Sequence, residues 1–208
     1  MNKTFRNGVP IYGNNAKMVI FLLHTGLRFG ELTALKWKNV HLNDNKIFIT
    51  ENSPIIKNRD KSLHKAYVLD NTTTKRKNSE RYVPLSNKAH AIIQYFYDNY
   101  GHKNDDLVFV SEKNTPANRR NVNRTLKGML VSAGCKIQNA SVHDLRHSFG
   151  SELIKQNVDI KVVSKLMGHA DITTTYNVYI HILDEQCCSA VDIFNAPDII
   201  TGMEKIIS

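Results

Sequence analysis

The sequence predicts an α+β fold, mainly α-helical with one small antiparallel β-sheet. Three observations carry that reading. Apolar residues recur at helical spacing through most of the chain, as in Ile92, Ile93 and Phe96, or Leu126, Met129 and Leu130. The strand candidates are short and fall together between Lys46 and Pro84. The 208 residues, 41% of them hydrophobic, suffice for one sizeable core and show no internal repeat or low-complexity tract. A single domain over 1–208 is the simplest organisation, with 1–13 as a flexible lead-in and 182–208 as a C-terminal tail.

In chain order, Asn14 or Asn15 can cap a helix through Leu23 that ends near Gly26. Phe29 to Trp37 reads as a second helix, with Leu32, Leu35 and Lys36 at helical spacing. Lys46–Thr50 alternates and is β-branched, hence a strand; Ala66–Leu69 and Arg81–Pro84 are two more, the last reached through the turn Lys77-Asn78-Ser79-Glu80. Ser86 can cap a helix through Tyr97. Pro116 suits a first helical position, opening a helix that runs to Gly134. Ser141 caps a helix to about Lys155, and Asp159 caps another that Gly168 ends. Asp171 to Tyr179 is helical but Thr-rich, and Pro197 separates a short last helix, Ile199 to Ile207.

Composition excludes several classes. There is too much apolar material for a disordered chain. The longest apolar run, Met18–Leu23, is a fraction of the roughly 20 residues that cross a bilayer, and no apolar stretch follows the N-terminus as in a signal peptide. Cys135, Cys187 and Cys188 form no disulfide framework; free thiols point to a reducing compartment, the cytoplasm. The net charge of +9 suggests a polyanionic partner, and its distribution is uneven. Lys57 to Lys88 is strongly basic, and no acid falls between Glu112 and Asp144. Between Lys165 and Lys205 there is neither Lys nor Arg. One surface facing a polyanion, with a tail that avoids it, accounts for this pattern.

Four segments could carry chemistry. In Thr25-Gly26-Leu27-Arg28-Phe29-Gly30-Glu31, Arg28 sits at a helix N-terminus, where its charge adds to the positive dipole end and is unfavourable without an anion; Glu31 can hold its guanidinium. In His143-Asp144-Leu145-Arg146-His147, spacing of three places His143 and Arg146 on one face, a pairing suited to phosphate oxygens or else a His satisfied locally beside a rim Arg. A zinc site from His143 and His147 lacks a nearby thiolate or intervening Glu. Beyond Gly168, His169 projects from a loop, and Tyr179 follows by ten residues as either a core residue or a nucleophile. Thr74 to Pro84 places Lys75 and Lys77 near a hairpin tip, solvated or able to protonate a leaving oxygen.

Together the stretches TGLRFGELTALKW, KNSERYVPL, HDLRHSFGSELI and KLMGHADITTTYNVYIH, in this order from Thr25 to His181, resemble the tyrosine site-specific recombinases, the phage and conjugative-transposon integrase family. The resemblance implies the catalytic-domain fold of that family, and a role for each matched residue. Arg28 and Arg146 would clamp the scissile phosphodiester, with Glu31 orienting Arg28. Lys77 would protonate the leaving 5′ oxygen, Lys75 being the alternative. His143 would be the general acid/base, and His169 a donor to the phosphate. Tyr179 would form a 3′-phosphotyrosyl bond, Tyr176 being its competitor. The family reading implies double-stranded DNA as partner, a monomer free and a homo-tetramer on DNA, possible accessory DNA-bending or excision factors, and no metal or cofactor.

Nearby cations would stabilise the phosphorane-like transition state and lower the Tyr179 pKa. Phosphate contacts would come from Lys57, Lys61, Lys75, Arg76, Arg119, Arg120 and Arg124, with base readout from the Thr115 to Leu130 helix. With only 24 residues ahead of the first motif, the resemblance leads to the expectation that the family's usual N-terminal DNA-binding domain is absent here, and the tail can dock on a neighbouring protomer or on its own domain. The competing readings are a non-catalytic DNA-binding module, a type IB topoisomerase and a metal-dependent nuclease.

Overall fold

A computed structural model describes residues 13–50, 55–57, 67–69, 80–100, 103–137 and 139–190. The helices are α1 Gly13–Thr25, α2 Phe29–Ala34, α3 Asn87–Asn99, α4 Arg119–Ser132, α5 Val142–Lys155, α6 Ile160–Met167 and α7 Ile172–Ala190. The strands are β1 Val40–His41, β2 Lys46–Ile49, β3 Ile55–Lys57, β4 Tyr67–Leu69 and β5 Arg81–Pro84. The mainly helical α+β expectation holds.

Helix α1 is the hub because its sequence is apolar on most of its circumference. Met18, Phe21 and Leu22 are wholly buried, and the helix packs against α3, α4 and α5. Phe21 lies 4.6 Å from Phe109, which meets Phe96 edge-on at 5.1 Å, a favourable aromatic arrangement. Asn14 does not cap α1. Its side chain is buried and donates to the Tyr100 hydroxyl (2.6 Å) and the Val110 carbonyl (2.9 Å), tying the helix start to distant loops.

The antiparallel sheet runs β1-β2-β5, with Ile47 opposite Val83 and Ile49 opposite Arg81. Side-chain alternation turns Ile47, Ile49, Val83 and Arg81 inward and leaves Tyr82 and Pro84 exposed. A small separate cluster comprises Ile154, Val163, Met167, Tyr179 and Ile182, where α5, α6 and α7 meet.

Several expected boundaries move. The second helix stops at Ala34, and Trp37–Asn39 is a 3₁₀ turn, because the backbone at Leu35 and Lys36 is extended and Lys36 bridges to Leu107. Pro116 bridges to Val110, and α4 starts three residues later under an Asn118 cap. The Tyr67–Leu69 strand pairs with Ile55–Lys57 in a two-stranded ladder of its own, so the strands do not form one sheet. Helix α7 continues through the start of the expected tail to Ala190. The lead-in before Gly13, the Lys77–Ser79 turn and the last expected helix lie outside the described residues.

Phe21→Ala should lower unfolding free energy by about 3–5 kcal/mol in chemical denaturation, the range for a truncated core aromatic. Lys38→Ala breaks an exposed pair with Asp105 (2.7 Å) and should leave the denaturation midpoint essentially unchanged.

Candidate active site

The site begins at the turn into α2. Arg28 is the N-cap, with extended backbone (φ −69°, ψ 148°), so its own N–H is free to donate to Glu31 Oε2 at 2.8 Å. Its guanidinium donates to Glu31 Oε1 (2.9 Å) and to the Gly168 carbonyl (3.2 Å). Glu31 thus holds Arg28 through both backbone and side chain; the sequence suggested the side-chain contact alone.

A second arginine completes the carboxylate. Arg81, turned inward from β5, donates from Nη1 to Oε1 (3.1 Å) and from Nη2 to Oε2 (3.0 Å) of Glu31, while its Nε donates to the Leu166 carbonyl (2.7 Å). From α5, Arg146 donates to the Gly26 carbonyl (2.7 Å) and the Met167 carbonyl. Arg81, Arg146 and Arg28 therefore take the successive carbonyls of Leu166, Met167 and Gly168. These lie at the C-terminus of α6, where unpaired carbonyls and the negative dipole end attract cations. Gly168 has φ +65°, ψ 47°, and a Cβ there would lie 2.5 Å from Arg81 Nη1, so any other residue is strained in backbone and must displace the Arg81 guanidinium.

The electrostatics record an excess of positive charge. Burial pushes Glu31 upward, but the hydrogen bonds and charge of Arg81, then of Arg28, outweigh it and hold the carboxyl below its usual range. Burial, and then the charge of Arg28, push Arg146 down to about 9. His169 is half-buried, with Nδ1 2.7 Å from the Thr175 hydroxyl; burial and then Arg146, Arg28 and Arg81 push it down to about 4. His143 is lowered by burial, then by His147, whose ring meets it edge-on at 4.6 Å, and by Arg146. Both histidines are neutral at pH 7, each with one N–H donor and one acceptor nitrogen. This pocket suits an anion: a phosphate would offset the neighbouring positive charge that adds to burial in lowering all three groups.

Tyr179 differs from expectation. It is 1% exposed, and its hydroxyl sits against Gly150, where a Cβ would lie 2.2 Å away, and 3.6 Å from Met167 Sδ. Burial raises its pKa, with Arg146 only partly opposing, so the expected lowering by neighbouring cations does not occur in this conformation. Tyr176, three residues earlier, is 46% exposed.

Arg28, Glu31, Arg146 and His169 are brought together; His143 stands one helical turn from Arg146. Arg119, Arg120 and Arg124 are exposed on the first turns of α4, whose Asn123 accepts from the Val142 N–H at the start of α5 (2.8 Å), placing this basic helix start beside that of α5. Lys57 lies in β3 opposite Tyr67; Lys61, Lys75, Arg76 and Lys77 fall outside the described residues. Among the described residues no group of three or more His, Cys, Asp or Glu could hold a metal ion, and no helix is long and apolar enough to cross a membrane. Sequence reasoning passed over Arg81. The signal was strand alternation: Val83 faces the core, so Arg81 does too, and a buried arginine requires an acidic partner.

Residues 1–186 match the model of the phage integrase family. The chain is 27% identical over 196 residues to a XerC-like tyrosine recombinase of Caldanaerobacter subterraneus, covering 88% of this chain and 50% of that protein. It is 30% identical over 179 residues to tyrosine recombinase XerD of Haemophilus ducreyi, covering 83% of this chain and 52% of that one. Among solved structures it superposes on the Tn1549 transposon integrase in complex with transposon right-end DNA, with TM-score 0.70, 21% identity, 91% of this chain and 62% of the other. It also superposes on the XerA recombinase, with TM-score 0.62, 22% identity, 88% and 57%. The chain belongs to the phage integrase family, and its fold is that of the tyrosine recombinase catalytic domain. It spans about half the length of the curated relatives it matches.

Two outcomes follow from the geometry. His169 should titrate near pH 4 by NMR in the free protein, and its midpoint should rise when duplex DNA is added. Because the folded-state pKa lies below the unfolded value of about 6.5, stability from this group is full above pH 6.5 and declines as pH falls toward 4. Gly168→Ala should destabilise the fold, by about 1–3 kcal/mol from backbone strain, with more from displacement of Arg81.

Proposed function

We propose that this chain breaks and rejoins DNA strands in site-specific recombination of a mobile element, through a covalent 3′-phosphotyrosyl intermediate. The observation that carries the reading is the convergence of Arg28, Arg146 and His169 on the end of α6, where guanidiniums outnumber the one shared carboxylate. That excess is suited to the charge that develops on a phosphorane-like transition state. Family membership supports the same chemistry, and the solved relatives include integrases bound to DNA.

In the proposed reaction the two arginines exchange backbone carbonyls for the non-bridging oxygens of one phosphodiester, and His169 donates its N–H to the same group. The Tyr179 oxygen attacks phosphorus while His143 takes its proton. The bond from phosphorus to the 5′ oxygen breaks, and Lys77, or Lys75, protonates the leaving oxygen. The reverse reaction with a 5′ hydroxyl of another duplex reseals the strand and frees the tyrosine, so no external energy source enters. Since the Tyr179 hydroxyl is packed on α5, α7 must shift before attack.

Duplex binding would rest on Arg119, Arg120 and Arg124, together with Lys57, Lys61, Lys75 and Arg76. The chain would act as one catalytic domain in the cytoplasm, monomeric when free and tetrameric on DNA, with the tail docking on a neighbour and accessory factors setting direction.

A nicked suicide duplex containing the recombination site tests the reading. Denaturing electrophoresis should show a protein–DNA adduct for the native chain and for Tyr176→Phe, and none for Tyr179→Phe. An adduct that survives in Tyr179→Phe and disappears in Tyr176→Phe would transfer the role to the exposed tyrosine. Adduct yield should be insensitive to chelator; a metal-dependent nuclease would lose cleavage and leave no adduct. Duplex affinity should fall by at least about tenfold between 50 and 200 mM salt if several phosphate contacts form.

A further inference from the structure

We propose that Arg81 is a positioning residue for the cleavage reaction: it fixes the Arg28 guanidinium by completing the coordination of Glu31. The cleavage part of this inference rests on the reading above; the positional part does not.

An ionised carboxylate offers about four lone-pair sites. On Glu31 they are divided evenly: Oε1 accepts from Arg28 Nη1 and Arg81 Nη1, and Oε2 accepts from the Arg28 N–H and Arg81 Nη2. The two arginines are not equivalent. The Arg28 side chain is 33% exposed, whereas that of Arg81 is 4% exposed and commits Nε, Nη1 and Nη2 to the Leu166 carbonyl and the two Glu31 oxygens. Arg28 is the group that can meet a phosphate; Arg81 sets the carboxylate on which Arg28 rests.

The arrangement is tied down on its third side. Arg81 Nε donates to the Leu166 carbonyl, and the absence of a Cβ at Gly168 leaves the space its guanidinium fills. Arg81 therefore links β5, α2 and the end of α6, from which the Gly168 carbonyl also accepts from Arg28. With Arg81 removed, Glu31 keeps its burial but loses half its donors. Its carboxylate is then free to rotate toward Arg28 and draw the guanidinium inward, away from the place where a phosphate would bind. Lysine in place of Arg81 preserves the charge but cannot form the two-pronged contact.

The test compares Arg81→Lys and Arg81→Met, alone and combined with Glu31→Gln. Hydrogen exchange of the Arg28 amide, which donates to Glu31, reads the position of the carboxylate in the free protein. It should accelerate at least about tenfold in Arg81→Lys, while the Gly26 amide, bonded to the Leu22 carbonyl, keeps its protection. Single-turnover adduct formation at saturating DNA should slow by about ten- to a hundredfold, with duplex affinity within about threefold of native. In the Glu31→Gln background, Arg81→Lys should slow the reaction by less than about threefold further, since the two act through one contact.

Unchanged Arg28 exchange in Arg81→Lys, or losses that multiply in the double variant, would overturn the proposal. So would a loss of affinity equal to the loss of rate. Should Arg81→Met fail to fold, Arg81→Lys decides alone. Should the native chain form no adduct on any duplex, the functional reading fails, and the Arg28 amide still decides whether Arg81 positions it.

Discussion

The site depends on one buried carboxylate. Glu31 is nearly inaccessible to water, and a charge in that position survives only when paired and hydrogen-bonded on all sides. Arg28 comes from the same turn and Arg81 from a strand fifty residues away, and each reaches one carbonyl at the end of α6. Arg146 takes the carbonyl between them. The C-terminal end of α6 is thus the common register for three chain segments. A helix end that would otherwise leave carbonyls unsatisfied becomes the device that sets the spacing of the cations.

The same register makes the free pocket electrostatically incomplete. The shifts at Arg146, His169 and His143 all disfavour the protonated form, each with burial as the leading cause and neighbouring positive charge adding to it. The carbonyls hold the guanidiniums in place without neutralising them. In the proposed reaction an incoming phosphodiester would supply the missing negative charge by displacing those carbonyls, the donors having been gathered at one place by folding. Tyr179 is outside this arrangement in the free chain. Packed on Gly150 with its pKa raised, it is a poor nucleophile where it stands, and α7 is held by the small cluster of Ile154, Val163, Met167 and Ile182 rather than by the main core.

Much of this was legible in the sequence. Helical periodicity located α1, α3, α4, α5 and α6, because each buries one apolar face, and Gly168 marked the end of α6 through its left-handed backbone. The short elements were harder. Ala34 ends α2 because tertiary pairing of Lys36 with Leu107 outweighs local propensity, and the β3–β4 ladder depends on a partner strand that alternation did not single out. Arg28, Glu31, Arg146 and His169 are joined into one site by the family resemblance rather than by spacing, whereas Arg81 lies in a basic stretch whose charge alone points to solvent. The burial of Tyr179 was not legible, since spacing reports which residues can meet and not which conformation of α7 is stable without DNA.

The central claim is that the cations at the end of α6 form the binding site for the reacting phosphorus. A crystal structure of the chain with nicked duplex and orthovanadate tests it most directly, vanadate being a mimic of the five-coordinate transition state. Vanadium bonded to the Tyr179 oxygen, with its equatorial oxygens accepting from Arg28, Arg146 and His169 at about 2.7–3.2 Å, is the predicted result. Vanadate bound elsewhere, with both guanidiniums still on their carbonyls and Tyr179 still against Gly150, would contradict it.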